Sequence, residues 1–422
     1  MLQTSRALLP RTLLAFAAFA WSLRAVSALE LEPTTPAAPE GFVEITGVEA
    51  VEFNPGLWQA GTLNFVADLR FPLLAPRAGK FRNIYAPSAV ETPGGYRLFY
   101  GAWDGVATGN DRIYSAATDP RFQSFSDRHI IVLPGSYTHV CNVNALRLND
   151  GVYALHATVY PVGKLNKPGC FKSDVTGTNW NGLAGEPYTA QARDIVEIAG
   201  YDYAGADMNG LNVMLHEDGV YRLYFGDFTQ PGGVFRAMSS DGKHYVFEAK
   251  VLGDATFVND VKKFRVGTTN FYLMGLHENG ARLWQTVSAN GLAFPAARPL
   301  LTNLDAADRY IVALGWVVRG AQESQGRRLL GVLYGAGPVP SLDRNNIYAR
   351  WLQKRVVFVG EDGTRYPGTK SFGPDRQLLK LTGPGPVSGR FEVYAEDGLT
   401  LLGKSGELKV RAGQSFTLLH SN

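Results

Sequence analysis

Three carboxylates in the sequence could act together on one covalent bond. Asp207 and Asp260 stand where strands begin, in Ala206-Asp207-Met208-Asn209 and Asn259-Asp260-Val261, and Asp104 follows Trp103 at the end of another strand pattern. Two carboxyl groups across a glycosidic bond hydrolyse it with retention at ~5–5.5 Å separation, or with inversion at ~6.5–9.5 Å, provided one is held protonated. Asp207 and Asp260 are expected to form such an acid/base pair, with Asp104 orienting or serving as a third carboxylate. Around them the strand starts read Asn83, Tyr85, His139, Asn142, Asn144, Asn209, Asn212 and Asn259. Asparagine donates and accepts, as sugar hydroxyls do. The alternative is that each bonds the backbone of a tight turn.

A second set lies on loops that return to the same end: Trp103, His156, Asp227, His277 and Glu278. Trp103 could stack on a sugar face or fill the core. His156 and His277 could move protons or be structural. Asp111 and Asp241 read as turn or strand-start residues. No phosphate loop, dinucleotide fingerprint, nucleophile elbow or zinc motif appears, and no cofactor or metal is expected.

The elements that must position these residues repeat. Gly95-Tyr96-Arg97-Leu98-Phe99-Tyr100-Gly101 and Gly219-Val220-Tyr221-Arg222-Leu223-Tyr224-Phe225-Gly226 are the clearest copies, with weaker ones at 151–156, 270–275 and 329–335. Each is a short aromatic, β-favouring strand, flanked upstream and downstream by another. The tyrosines Tyr96, Tyr153, Tyr221 and Tyr272 recur about every 50–70 residues, a spacing that suits propeller blades built of strands. The expected fold is all-β: a five-bladed β-propeller over 81–358 and a small C-terminal β appendage over 359–422. Residues 29–80 are expected to supply a linker, with the Pro/Thr-rich stretch 33–39, and lead-in strands.

Asn83-Ile84-Tyr85-Ala86-Pro87-Ser88, Tyr96 to Gly101 with Trp103-Asp104, and Asp111 to Ala116 resemble the five-bladed propeller glycoside hydrolases, the group of arabinanases, β-xylosidases and fructosidases. The resemblance covers about 280 residues as architecture. It implies a carbohydrate ligand and three carboxylates near the inner-strand starts of the first three blades. This chain departs from that pattern, with Asn83 opening the first blade and Asn142 and Asn144 the second. The catalytic residues therefore do not carry over.

Charge narrows the partners. The chain of 422 residues has a formal net charge of +3, but Arg6, Arg11 and Arg24 lie in the first 28 residues, which hold no acid. Removing them leaves 38 basic and 38 acidic residues. Nothing supplies the basic excess that nucleic acid or an anionic membrane attracts. The apolar run Leu13 to Leu23 before Val26-Ser27-Ala28 reads as a signal peptide over 1–28, too short for a bilayer span, so a secreted or periplasmic protein is expected. In that compartment Cys141 and Cys170 are expected to form a disulfide. The sequence reading is a secreted, inverting glycoside hydrolase of a neutral poly- or oligosaccharide. Behind it stand a non-catalytic carbohydrate-binding propeller, a glycan phosphorylase using Arg112 or Arg309, and a protein-interaction propeller.

Overall fold

The computed structural model describes residues 27–34, 38–60, 62–76, 83–103, 111–253, 256–321, 324–340 and 344–419. Asp104 and the signal segment through residue 26 lie outside them. The N-terminal strands are β1 (Ser27–Thr34), β2 (Phe42–Thr46) and β3 (Phe65–Asp68). A first sheet follows, from β4 (Asn83–Thr92), β5 (Gly95–Trp103), β6 (Arg112–Thr118) and β7 (Phe125–Leu133). A second holds β8 (His139–Arg147), β9 (Tyr153–Val162) and β10 (Leu165–Lys172). Two short strands come next, β11 (Tyr188–Thr189) and β12 (Glu197–Ala199).

The third sheet is β13 (Val213–Glu217), β14 (Val220–Phe225), β15 (Val234–Ser239) and β16 (His244–Leu252). The fourth is β17 (Phe257–Val266), β18 (Thr269–His277), β19 (Arg282–Ser288) and β20 (Arg298–Thr302). Then come β21 (Tyr310–Arg319), β22 (Arg328–Gly337) and β23 (Asn346–Leu352). The C-terminal strands are β24 (Arg355–Gly360), β25 (Arg365–Ser371), β26 (Arg376–Lys380), β27 (Val387–Tyr394), β28 (Leu401–Ser405), β29 (Leu408–Val410) and β30 (Ser415–Leu419).

The arrangement is all-β and propeller-like. Four sheets stand apart as antiparallel units, each numbered outward from its inner strand. The expected fifth blade is not a separate sheet. β21, β22 and β23 continue through β3 into β25 and the C-terminal strands, forming one sheet of thirteen strands, so separate blades number four rather than five. The physical reason is β3, which pairs with β23 on one side and β25 on the other and stitches the appendage to these strands. The N-terminal stretch is also built in. β1 runs between β28 and β30, so Pro33 and Thr34 are strand residues rather than a linker.

Alternation along each inner or second strand explains its near-continuous apolar run. Leu98 and Tyr100 face a core shared with Leu333, Ile347 and Trp351, whereas Phe99 faces one shared with Val143, Leu155 and Phe171. Leu223 and Phe225 likewise pack against Ala154 and Cys170, and Tyr224 against Val258 and Met274. A fourth such layer, around Phe264, Trp316 and Tyr334, takes in Trp58 of a one-turn helix, Pro55–Ala60. Gly95 is required where β4 turns into β5, because a Cβ there would sit 2.2 Å from the Thr118 carbonyl oxygen.

The segment between β10 and β13 behaves unusually. It gives no fourth strand to the second sheet. Instead β11 adds in parallel to β7 of the first sheet and β12 adds in parallel to β16 of the third. The second sheet is left with three strands between neighbours of five.

Candidate active site

The site end is set by irregularities in the inner strands. β4, β8, β17 and β21 each lose register near their start, between Tyr85 and Ser88, Cys141 and Asn144, Val258 and Asp260, and Ile311 and Ala313. Bulges of this kind re-aim side chains. Ala86 (φ 50°) and Asn142 (φ 53°) both adopt the left-handed conformation at these points.

Most of the predicted asparagines are consumed by the fold. Asn83, Asn144, Asn212 and Asn259 are buried, at 0%, 1%, 1% and 0% exposure. Asn83 Oδ1 accepts from the Asn345 backbone N–H at 3.0 Å, Asn144 Oδ1 from that of Met214 at 3.0 Å, and Asn259 Oδ1 from that of Leu314 at 3.2 Å. Asn212 bonds the Met208 and Gly210 carbonyls of its own turn. Asn144 and Asn259 thus form a belt that ties their inner strands to β13 and β21, while Asn83 ties β4 to the start of β23. Asn209 is exposed and Asn142 half-buried, so these two remain open to a ligand.

Asp260 belongs to the same belt, which corrects its expected role. It is 1% exposed. Its Oδ1 accepts from Asn144 Nδ2 at 3.2 Å and Lys262 Nζ at 2.8 Å, and its Oδ2 accepts from the Trp316 backbone N–H at 2.9 Å. Asp227, 3% exposed, is tied up by the Tyr201 hydroxyl, Thr229 and the Asp207 backbone N–H. The histidines are likewise interior. His156 bonds the Gly242 carbonyl at 3.2 Å, and burial holds its ring down at about 4. His277 lies between Asn279 Oδ1 and the Asn259 amide, and burial also holds it at about 4. Trp103 is 9% exposed, and its Nε1 has no partner among the described residues. Glu278 is exposed.

The expected disulfide is absent. Cys141 and Cys170 are buried free thiols. Cys141 stands opposite Thr158 and Cys170 opposite His156, on the two strands flanking β9. Two strand spacings put their backbones ~9.5 Å apart, beyond the ~7 Å a bridge can reach. Burial pushes the Cys170 thiol up to about 12, so it is inert.

Among the described residues, Asp111 and Asp207 are the acids that flank the start of β8. Asp111 precedes β6, is 6% exposed, and its carbonyl accepts from the Val140 backbone N–H at 3.0 Å. The Tyr85 hydroxyl bonds its carboxyl, yet Oδ1 is buried without a partner among the described residues. Burial pushes this carboxyl up to about 6, against the lowering pull of Tyr85 and Arg112. On the other flank Asp207, half-buried, accepts from the Asn166 backbone N–H at 2.9 Å and Nδ2 at 2.8 Å. Asn166 in turn bonds His139, which stacks on Tyr160 at 5.1 Å. Asp111 and Asp207 therefore approach β8 from opposite sides.

Sequence reasoning discounted Asp111 because its position read as a strand start. Tyr85 and Ile113 both pair with Gly101 of β5, which brings Asp111 towards Tyr85, but burial decides its character and burial is not legible in the sequence. An aromatic platform was also missed. Phe228 and Phe257 stack at 4.9 Å with an interplanar angle of 6°, and Phe228 is 40% exposed beside Gly210. The Phe228 backbone N–H bonds the Asp207 carbonyl at 2.9 Å, so the platform and this acid share one loop pair.

Comparison with known proteins bears on the fold. No protein-family profile matches the chain, and no curated protein matches it in sequence. Among solved structures, a candidate glycosidase from Bacteroides thetaiotaomicron aligns at TM-score 0.50 and 14% identity, covering 71% of this chain and 99% of its own. A glycoside hydrolase of the GH130 mannoside family aligns at 0.48 and 14% identity, over 68% of this chain and 94% of its own. The catalytic domain of a GH62 α-L-arabinofuranosidase from Coprinopsis cinerea aligns at 0.46 and 12% identity, over 69% and 97%. Of these three the first reaches one half, and at 14% identity it supports the fold alone.

Proposed function

We propose that this chain is an exported glycoside hydrolase, acting on a neutral poly- or oligosaccharide bound across the start of β8. The observation that carries the reading is Asp111, a buried carboxyl at the mouth with one oxygen that has no partner among the described residues. A buried group left unsatisfied costs stability, and a carboxyl lifted to about 6 can stay protonated long enough to act as an acid. In this reading Asp111 protonates the departing glycosidic oxygen and Tyr85 orients it. Asp207, held by the two Asn166 bonds, takes the proton of an attacking water, which inverts the anomeric centre. Phe228 stacks on a sugar ring, and Asn142, Asn209, His139 and Glu278 border the substrate. Asp104 adjoins this mouth in sequence and keeps its proposed orienting role. We count β21, β22 and β23 with β3 as the fifth blade closing the ring.

Incubating the purified chain with arabinans, xylans, fructans and β-mannans tests the reading. Release of sugar whose first-formed anomer is inverted, followed by proton NMR, is the expected result. No release from these or a wider glycan panel overturns it. A second reading, a non-catalytic carbohydrate binder, draws on Asn83 and Asn144, which leave the first two inner strands without an acid. It is favoured if the same glycans bind without turnover.

A further inference from the structure

A cavity of about 370 Å³ opens between the second and third sheets, lined by Cys170, Lys172, Asn181, Arg193, Asp194, Asp241 and Lys243. It sits at the end of β10 and at the turn between β15 and β16, which topology puts at the opposite end of the sheets from the inner-strand starts. The next junction around the ring explains why it is there. Between the third and fourth sheets, Tyr224 Oη and Arg236 Nη1 both donate to the Gly291 carbonyl, each at 3.0 Å, and Glu248 neutralises Arg236 at 2.8 Å. Tyr224 pairs with Arg236 across β14 and β15, as His156 pairs with Cys170 across β9 and β10. His156 accordingly reaches the Gly242 carbonyl. Cys170 takes the place of the large guanidinium, and the second sheet has no fourth strand to offer a counterpart of Glu248. Volume and positive charge are both left over.

The leftover charge is specific. Among the described residues no ion pair joins the side chain of Lys172, Arg193 or Lys243 to a carboxylate. Lys172 Nζ is fixed over the Tyr221 ring at 4.5 Å and bonds the Asp241 carbonyl. The two acids in the lining have their own donors. Asp194 accepts from Tyr188 Oη, the Gln191 backbone N–H and Asn181 Nδ2. Asp241 accepts from Ser239, the Lys243 and His244 backbone N–H groups and the His244 ring. Three cations around one concavity with their acids already engaged make a receptor for a compact oxyanion.

We propose that this cavity binds a phosphate or sulfate group, free or as a sugar ester, at a site separate from the mouth and independent of the hydrolase reading. Isothermal titration calorimetry of the full chain at low ionic strength, with inorganic phosphate, sulfate and a hexose monophosphate against a chloride control, tests it. One saturable site per chain is expected for phosphate. It should weaken at least tenfold in Lys172→Met and in the double variant Arg193→Gln/Lys243→Gln, but not in the surface control Lys250→Gln. Arg193 and Lys243 are not core residues, so the double variant should melt like the parent and keep the test readable. Tighter binding of the hexose monophosphate than of phosphate identifies an ester ligand, and the reverse a free ion. Phosphate heats no greater than those of chloride, or binding undiminished in the double variant, overturn the proposal.

Discussion

Asp260 and Asp111 are both carboxylates near the starts of inner or adjoining strands, 1% and 6% exposed, and their surroundings could hardly differ more. Asp260 is bonded at both oxygens, by Asn144, Lys262 and the Trp316 backbone. Asp111 has one buried oxygen without a partner among the described residues, and its carboxyl is pushed up to about 6. The difference separates a carboxylate that helps close a ring of sheets from one whose buried oxygen has no partner among the described residues. A satisfied buried network fixes one arrangement of the strands it joins, whereas an unsatisfied acid is a group waiting for a bond. Residue type alone does not distinguish them.

The largest expected effect breaks the belt. Asp260→Ala leaves Lys262, itself buried, without its counter-charge and the Trp316 N–H without an acceptor, so unfolding free energy should fall by about 3–5 kcal/mol. Urea denaturation measures it. A change under about 1 kcal/mol would mean that Asp260 is not structural, and the distinction drawn above would fail.

Acid tests the interior through two buried histidines, His277 beside the belt and His156 between the second and third sheets. His156 and His277 titrate at about 4 in the folded chain, below the ~6.5 of an unfolded histidine. The unfolded state therefore takes up protons first as pH falls. Their contribution is intact above pH ~6.5 and is lost progressively towards about 4, at ~1.4 kcal/mol per pH unit for each ring. Denaturation midpoints at pH 7.5, 6 and 5 should decline in that order. A midpoint constant across this range contradicts the interior, neutral placement of both rings.

Smaller effects sharpen the mouth side. Phe228→Ala removes an exposed ring, so stability should shift by no more than about 0.5 kcal/mol. Loss of a stacking surface worth ~0.5–1.5 kcal/mol should raise KM roughly 2- to 10-fold with kcat retained. An unchanged KM would remove the platform from the site. If Asp111 must be protonated, kcat/KM on the best substrate should fall ~tenfold per pH unit above pH ~6. A rate that rises through that range would exclude Asp111 as the acid.

Much of the fold was legible in the sequence, and for a definite reason. The Tyr96, Tyr153, Tyr221 and Tyr272 strands carry apolar residues on both faces because each faces two neighbouring sheets, and a repeat at about blade length follows from that. What could not be read was pairing at the edges. Nothing local in Phe65-Val66-Ala67-Asp68 says that it will join β23 to β25, and this pairing is what merges the expected fifth blade with the appendage. The site was legible in outline and misleading in detail. Asn144 and Asp260 have the right residue types at the right strand positions, yet their side chains bond the neighbouring sheet. The two cysteines are paired on compartment and on falling in one repeat unit, whereas β9 runs between them. Asp111 was passed over because the cause of its character, burial beside Tyr85, arises only when β4, β6 and β8 come together.

The central claim is that Asp111 is the acid of a glycoside hydrolase, and Asp111→Asn tests it most directly. The substitution keeps shape and burial while removing the titrating proton. The account predicts a fall in kcat/KM of ~10²–10⁴-fold on the best substrate of the glycan panel, with an unfolding midpoint no lower than that of the parent chain. Turnover within a few-fold of the parent by a folded Asp111→Asn chain would contradict it.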